Sequence, residues 1–305
     1  MIARTESDRP PSAASGDLVV AVSSHRVLAA GIATLGLGLV ANSVSGPLLG
    51  DAIDYPVSES MRNQTIGLDA AALLLFAPAC LVIALLAWRG HRLAPVLAVS
   101  LGSYVAYIFL QYLVGPEFDY YPATLLLHLG LFVGGWLLAV HGWDLARRHF
   151  AAWPALSSRH AVAAAAMAAF VILRYLPGLA ASITQEPLPD EVSGDITMYW
   201  LIVVSDLGIF IPIVLIIAVG IWRRTTWARL AMVATVGWFT IVSVAVATMS
   251  LTMVINDDRY ASQAQLGLFI ITTAVAGIYA IHLHRTLISP ETVHTATSAP
   301  TETQR

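Results

Sequence analysis

The chain contains no lysine: its 16 basic residues are all arginines, set against 19 acidic residues and nine histidines. A retinal or pyridoxal Schiff base needs a lysine amine, and a Walker P-loop needs a lysine on its phosphates, so both chemistries are excluded. Cysteine is nearly as scarce. With Cys80 alone there is no internal disulfide, no CxxC site and no Cys-rich metal site. Charged residues make up only 11% of the 305 positions, whereas 57% are hydrophobic and the mean hydropathy is +0.74. That balance is foreign to a soluble globular protein and describes an integral membrane protein whose principal partner is the lipid bilayer.

A run of about 20 apolar residues crosses a roughly 30 Å hydrocarbon core as helix. Runs of that kind predict an all-α protein of eight transmembrane helices, over about 26–48, 69–88, 93–115, 121–143, 160–183, 198–222, 228–255 and 261–284. Thirteen of the 16 arginines then fall on one side, in the N-terminal tail, the even-numbered connections and the C-terminal end. By the positive-inside rule that side is cytoplasmic and holds both termini. Twelve carboxylates gather on the other: Asp51, Asp54, Glu59, Asp69, Glu117, Asp119, Glu186, Asp190, Glu191, Asp195, Asp257 and Asp258. They are either ordinary solvated loops or a mouth whose summed field attracts cations. Residues 1–24 and 287–305, rich in Ser, Thr, Ala and Pro, are expected to be disordered cytoplasmic tails. The first apolar run resembles a signal peptide but is kept as a helix, because the internal repeat requires it.

That repeat is carried by two echoes. Pro78, Ala84, Trp88 and Arg89 match Pro212, Ala218, Trp222 and Arg223 in a P-x5-A-x3-W-R pattern, with Asp69 and Asp206 upstream. His128-Leu-Gly-Leu-Phe132 is echoed by Gln265-Leu-Gly-Leu-Phe269. Collinear echoes predict two related four-helix halves, 25–150 and 151–286, arranged as a parallel repeat about an axis along the membrane normal. In such proteins ligand sites lie where the halves meet.

Polar groups inside the hydrocarbon are costly and face the bundle interior or water. Arg174 and Asp206 lie at matched depth on consecutive helices and are expected to pair, as an anion contact and a cation or proton site or as a lock between helices. Ser100, Tyr104, Tyr107 and Gln111 share one helix face, as do Tyr121, Thr124 and His128. Tyr199 with Asp206, Thr248 with Thr252 and Asn256, and Gln265 with Thr272 and Tyr279 continue the pattern. These stripes crowd toward the outer half. Either they line a polar cavity open to the outer face, or they are hydrogen-bonded glue between helices at about 1 kcal/mol or less each. The candidate ligand-binding set is therefore Arg174, Asp206, His128, Gln111, Tyr107, Tyr104, Tyr199 and Asp69.

His128 and His141 have near-haem spacing on one helix, but the remaining histidines stand at the arginine-rich edge and supply no partner pair. A metal held by His128 with Asp206 or Asp69 lacks a ligand signature, and His128 as a proton-handling group is the other use for it. No cofactor, resident metal, catalytic constellation or nucleic-acid partner is expected, since no hydrolase, zincin, dinucleotide or nucleic-acid motif occurs. Asn63-Gln64-Thr65 matches the glycosylation acceptor pattern.

Gly67-Leu68-Asp69, the stretch from Tyr104 to Gln111, the aromatic run Phe118-Asp119-Tyr120-Tyr121, and Asp206-Leu207-Gly208 ahead of Pro212 resemble a family of uncharacterised prokaryotic eight-helix membrane proteins, frequent in actinobacteria. The likeness covers about residues 28–285; it implies the topology and a bacterial cytoplasmic membrane, and no activity. The sequence thus leads to a multi-pass protein that binds or transports a small polar or amphiphilic ligand in an outer-half cavity. Its alternatives are an intramembrane enzyme on a lipid-linked substrate, and a structural or assembly partner marked by an unpacked seam such as Gly130-x3-Gly134.

Overall fold

The computed structural model describes residues 13–50, 52–116, 122–150, 155–184, 186–187 and 190–287. Eight helices are long and apolar enough to cross a membrane: α1 (Ala13–Ser45), α2 (Glu59–Trp88), α3 (Ala94–Val114), α4 (Pro122–His149), α5 (Arg159–Thr184), α6 (Ile196–Trp222), α7 (Thr226–Ile255) and α8 (Gln263–Arg285). No strand occurs among the described residues. The chain is a multi-pass, all-α membrane protein.

Two boundaries differ from those expected. Helix α1 begins at Ala13, inside the segment read as a tail, and Leu287 is fully buried; residues 1–12 and 288–305 lie outside the described residues. Helix α2 begins ten residues before its apolar run, because Ser58 caps it by accepting from the Met61 amide and because Asn63 and Thr65 are buried on its inner face. Asp51, Glu117, Asp119 and the aromatic run 118–121 also lie outside the described residues.

Helices α3 and α7 are the most enclosed, and they cross at the centre of the bundle. Helix α3 packs along α4 through glycines that let the backbones approach. A Cβ on Gly102 would sit 2.6 Å from the Gly135 carbonyl oxygen, and one on Gly135 would sit 2.7 Å from that of Gly102. Helix α2 closes on α7 at Gly67, where a Cβ would lie 2.6 Å from the Met249 Cα. Helix α5 rests mainly on α6, and α8 mainly on α7.

Helices α2 and α6 each contain a π-helical stretch, Ala72–Phe76 and Val204–Phe210, with Pro78 or Pro212 two residues beyond its end. Both helices stop at Trp-Arg. The residue after it adopts a left-handed conformation, Gly90 at φ 67° and Arg224 at φ 55°. The π stretches place the proline where its missing N–H and the crowded carbonyl are absorbed by a widened turn.

The two ends of the bundle are chemically distinct. At one, Arg26 lies over the Trp88 ring, Arg147 and Arg148 both bridge to Asp144, and Arg229 donates to Thr286. At the other, Ser58 bonds Asp195 and Asn63 donates to Asp258.

Candidate functional site

The eight candidate residues divide into two buried clusters and four outliers. The first cluster joins α1, α2, α4 and the α1–α2 connection. Asn42 is the hinge of it: its amide nitrogen donates to Asp69 Oδ1 at 3.1 Å, while its oxygen lies 2.9 Å from His128 Nε2. Tyr55 approaches the same imidazole nitrogen at 3.3 Å, and Phe109 and Tyr112 close around the ring. Asp69 is 1% exposed, Asn42 2% and His128 0%. Gly46 packs directly against the Asp69 carboxylate, so the turn after α1 seals the cluster.

The second cluster centres on Asp206 in the π stretch of α6. Tyr107 of α3 donates to Oδ1 at 2.6 Å and Tyr175 of α5 donates to Oδ2 at 2.5 Å. One carboxylate thus ties three helices together, and each oxygen receives a hydroxyl proton. Hydrogen bonds to an ionised acceptor in a dry interior are the strong kind.

The expected Arg174–Asp206 ion pair is not formed. Arg174 is exposed, and its guanidinium lies 5.5 Å over the Tyr175 ring and 5.4 Å over that of Phe269 on α8. Adjacent residues on a helix point about 100° apart; α5 turns Tyr175 inward, which carries Arg174 to the surface. His128 likewise joins Asp69 through Asn42 rather than Asp206.

Most of the polar stripes are satisfied locally. Thr248 and Thr252 bond carbonyls one turn back, as does the exposed Thr272. Asn256 donates to Asn63, Gln265 to Ser250, and Tyr279 meets His160 at 2.6 Å. Tyr104 packs edge-on against Phe76, Tyr199 against Trp200, and Gln111 is buried with its amide nitrogen lacking a partner. Among the described residues the stripes therefore do not share one cavity: Tyr107 lines a groove deeper in the bundle, and Asn256 a separate cavity at the acidic end. Asn63 is 9% exposed and hydrogen-bonded, which bars it from glycosylation in this fold.

A cavity does exist, in another place and of another character. About 260 Å³ lie between α3 and α4 on one side and α6 and α7 on the other. Its walls are mainly apolar and aromatic, with Phe132, Trp136, Trp143, Phe210 and Trp238 prominent. Neutral polar groups punctuate it: Ser103, Tyr107, Ser205 and Thr235. It runs from mid-bundle, at Leu110 and Ser205, toward the arginine-rich end at Val99 and Ile217. Trp136, Ile209 and Ile213 at its lip are exposed, so it opens sideways where lipid would be. The Ser205 hydroxyl, 2% exposed, has no hydrogen-bond partner among the described residues, while Tyr107, its proton given to Asp206, keeps an oxygen able to accept.

Asn42, Tyr55, Tyr175 and Ser205 were not singled out from the sequence. Asn42 carried a signal, as the one amide in the apolar run of α1; Tyr175 and Ser205 stood beside residues that were chosen. Comparison of the chain with protein-family models, curated proteins and solved structures finds no match.

Proposed function

We propose that the protein binds a neutral amphiphile in the lateral groove between α3/α4 and α6/α7, as a membrane carrier, transporter or sensor. The observation that carries this reading is the groove itself: apolar, aromatic and open toward the bilayer, with an unpartnered buried serine hydroxyl and a tyrosine acceptor at its deep end. Ligand pockets pair a mainly apolar lining with a few placed polar groups in this way. No charged side chain among the described residues lines the groove, so the ligand is an apolar body bearing a hydroxyl or carbonyl rather than an ion. A ligand hydroxyl would accept from Ser205 and donate to Tyr107, and Asp206 would hold Tyr107 in place.

Two supporting readings go with it. The separation of 134 residues that relates Pro78 to Pro212 also relates Phe76 to Phe210, Tyr104 to Trp238, and Gly90 to Arg224. Phe76 packs on Tyr104 as Phe210 packs on Trp238. These coincidences favour two four-helix halves, with the groove at their meeting. The arginine bias favours a cytoplasmic location for that end of the bundle and for both termini, in a bacterial cytoplasmic membrane.

The test uses the groove's own tryptophans. A dibrominated fatty alcohol titrated into the purified protein in uncharged detergent should quench fluorescence saturably, and Ser103→Phe, which fills the groove, should abolish the saturable part. Equal quenching of both proteins, rising linearly with the probe, would reduce the groove to a surface wetted by lipid. An assembly role draws on a different feature: Gly130 and Gly134 face an open channel between α1 and α4 of about 560 Å³, with nothing within 4 Å of a Cβ on Gly130. Detection of a specific oligomer lost on Gly130→Leu would support it.

A further inference from the structure

A second cavity stands at the acidic end of the bundle, remote from the groove. It holds about 430 Å³ and is walled by the start of α2, the short turn Asp190–Ser193 and the loop after α7. Among the described residues its lining has four carboxylates, from Glu59, Asp190, Asp257 and Asp258, against a single cation, Arg259.

The carboxylates are not equivalent. Asp258 is committed, accepting from Asn63 and from the Tyr260 amide. The side-chain carboxylates of Glu59, Asp190 and Asp257 take no hydrogen bond and no ion pair from the described residues. Arg259 does not neutralise them: its guanidinium lies 4.3 Å over the Tyr260 ring and bonds that residue's hydroxyl. A separate observation points to an occupant. Ser60 lines the same cavity, is 7% exposed, and its hydroxyl has no partner among the described residues. A buried polar atom left unsatisfied costs about 1–3 kcal/mol, which a ligand at that position would recover.

The spacing of the acids selects the ligand class. Among the described residues no three His, Cys, Asp or Glu side chains are grouped closely enough to hold one metal ion. Acids spread around one cavity suit a cation whose charge is distributed along its length, because each ammonium can meet its own carboxylate. We infer that this cavity is a binding site for a linear organic polycation, of the polyamine class, with Glu59, Asp190 and Asp257 as its counter-charges and Ser60 as a neutral hydrogen-bonding contact. The site is independent of the groove, and its failure would leave the amphiphile reading untouched.

Calorimetric titration of spermidine into the full chain in uncharged detergent tests it. One saturable site is expected, weakened by salt as screening shortens the reach of the acids. Glu59→Gln/Asp190→Asn/Asp257→Asn should weaken it at least about tenfold, or 1.4 kcal/mol. Ser60→Val, which keeps every carboxylate, should weaken it measurably and so separates a built site from diffuse attraction. Asp54→Asn, an exposed acid outside the cavity, should leave it unchanged, and melting curves establish that each variant is folded. Absence of saturable binding, equal affinity in the triple variant or in Ser60→Val, or magnesium ions saturating the site as tightly as spermidine would each overturn the assignment.

Discussion

The Ser100 hydroxyl donates to the Ala234 carbonyl oxygen at 2.9 Å, joining α3 to α7 at the centre of the bundle. Gly237, one turn further along α7, leaves room for it, since a Cβ there would lie 2.5 Å from the serine oxygen. Gly237→Val should therefore force the central helices apart and cost about 1–3 kcal/mol by overpacking. Ser100→Ala, which removes only the bond, should cost no more than about 1 kcal/mol. Thermal unfolding of both variants in one detergent gives the order.

The two tyrosines on Asp206 make a graded prediction. Tyr175→Phe and Tyr107→Phe each remove one donor, at about 1.5–3 kcal/mol for a bond to a charged group. The double variant leaves a buried carboxylate with neither donor and should cost more than either alone. Only Tyr107→Phe should also weaken binding of the brominated alcohol, because only Tyr107 lines the groove. Equal effects of both substitutions on binding would detach Tyr107 from any ligand contact.

Arg174 should behave as a surface residue. Its contacts are with the Tyr175 and Phe269 rings, worth about 0.5–1 kcal/mol at an exposed site. Arg174→Ala is expected to shift stability within that range, and a double-mutant cycle with Asp206→Asn should return a smaller coupling than the Tyr175–Asp206 cycle. A larger Arg174 coupling would restore a direct ion pair.

In the first cluster, Asn42 satisfies Asp69 and His128 at once. Asn42→Ala should thus take one hydrogen bond from each of two buried polar groups, although Tyr55 still approaches His128, at a cost of about 1–3 kcal/mol in all. Asn42→Leu, which nearly matches the volume, should be no better. An unfolding experiment in which Asn42→Leu equals the wild type would show the network to be dispensable.

Orientation is open to a labelling test, because Cys80, the one native thiol, is fully buried. Ser193→Cys at the acidic end should react with an impermeant maleimide added to intact cells, and Arg147→Cys only after lysis. The reverse pattern would invert the topology.

The eight spans were legible because a run of about 20 apolar residues has one inexpensive solution in lipid. The start of α2 was not. Glu59 to Gly67 is too polar to read as a span, and its burial depends on Asn63 meeting Asp258 and Asn256, residues almost 200 positions away. Depth along a helix axis was read well, and azimuth badly. Tyr175, the neighbour of Arg174, does reach Asp206. Yet one position on α5 is a rotation of about 100°, so Tyr175 rather than Arg174 is turned toward Asp206, and nothing in the spacing tells which of the two neighbours faces inward. The groove was illegible for a further reason: it is an absence of packing, set by where α6 parts from α3, and no residue type announces that.

The glycine contact between α3 and α4 has a mechanical meaning. Two backbones in van der Waals contact cannot slide without colliding, so α3 and α4 act as a single post. Helix α6, broken by a π turn and a proline and flanked by a groove, leans the other way, held along its arginine-end half by α5 and by α7, where Gly220 packs on Trp227 and Ala228. A solute wedging into the groove would therefore press α6 onto α5 and α7 and leave the contact between α3 and α4 untouched. The Asp206 carboxylate, bonded by Tyr107 and Tyr175, ties α6 to that post and to α5 at the groove's deep end.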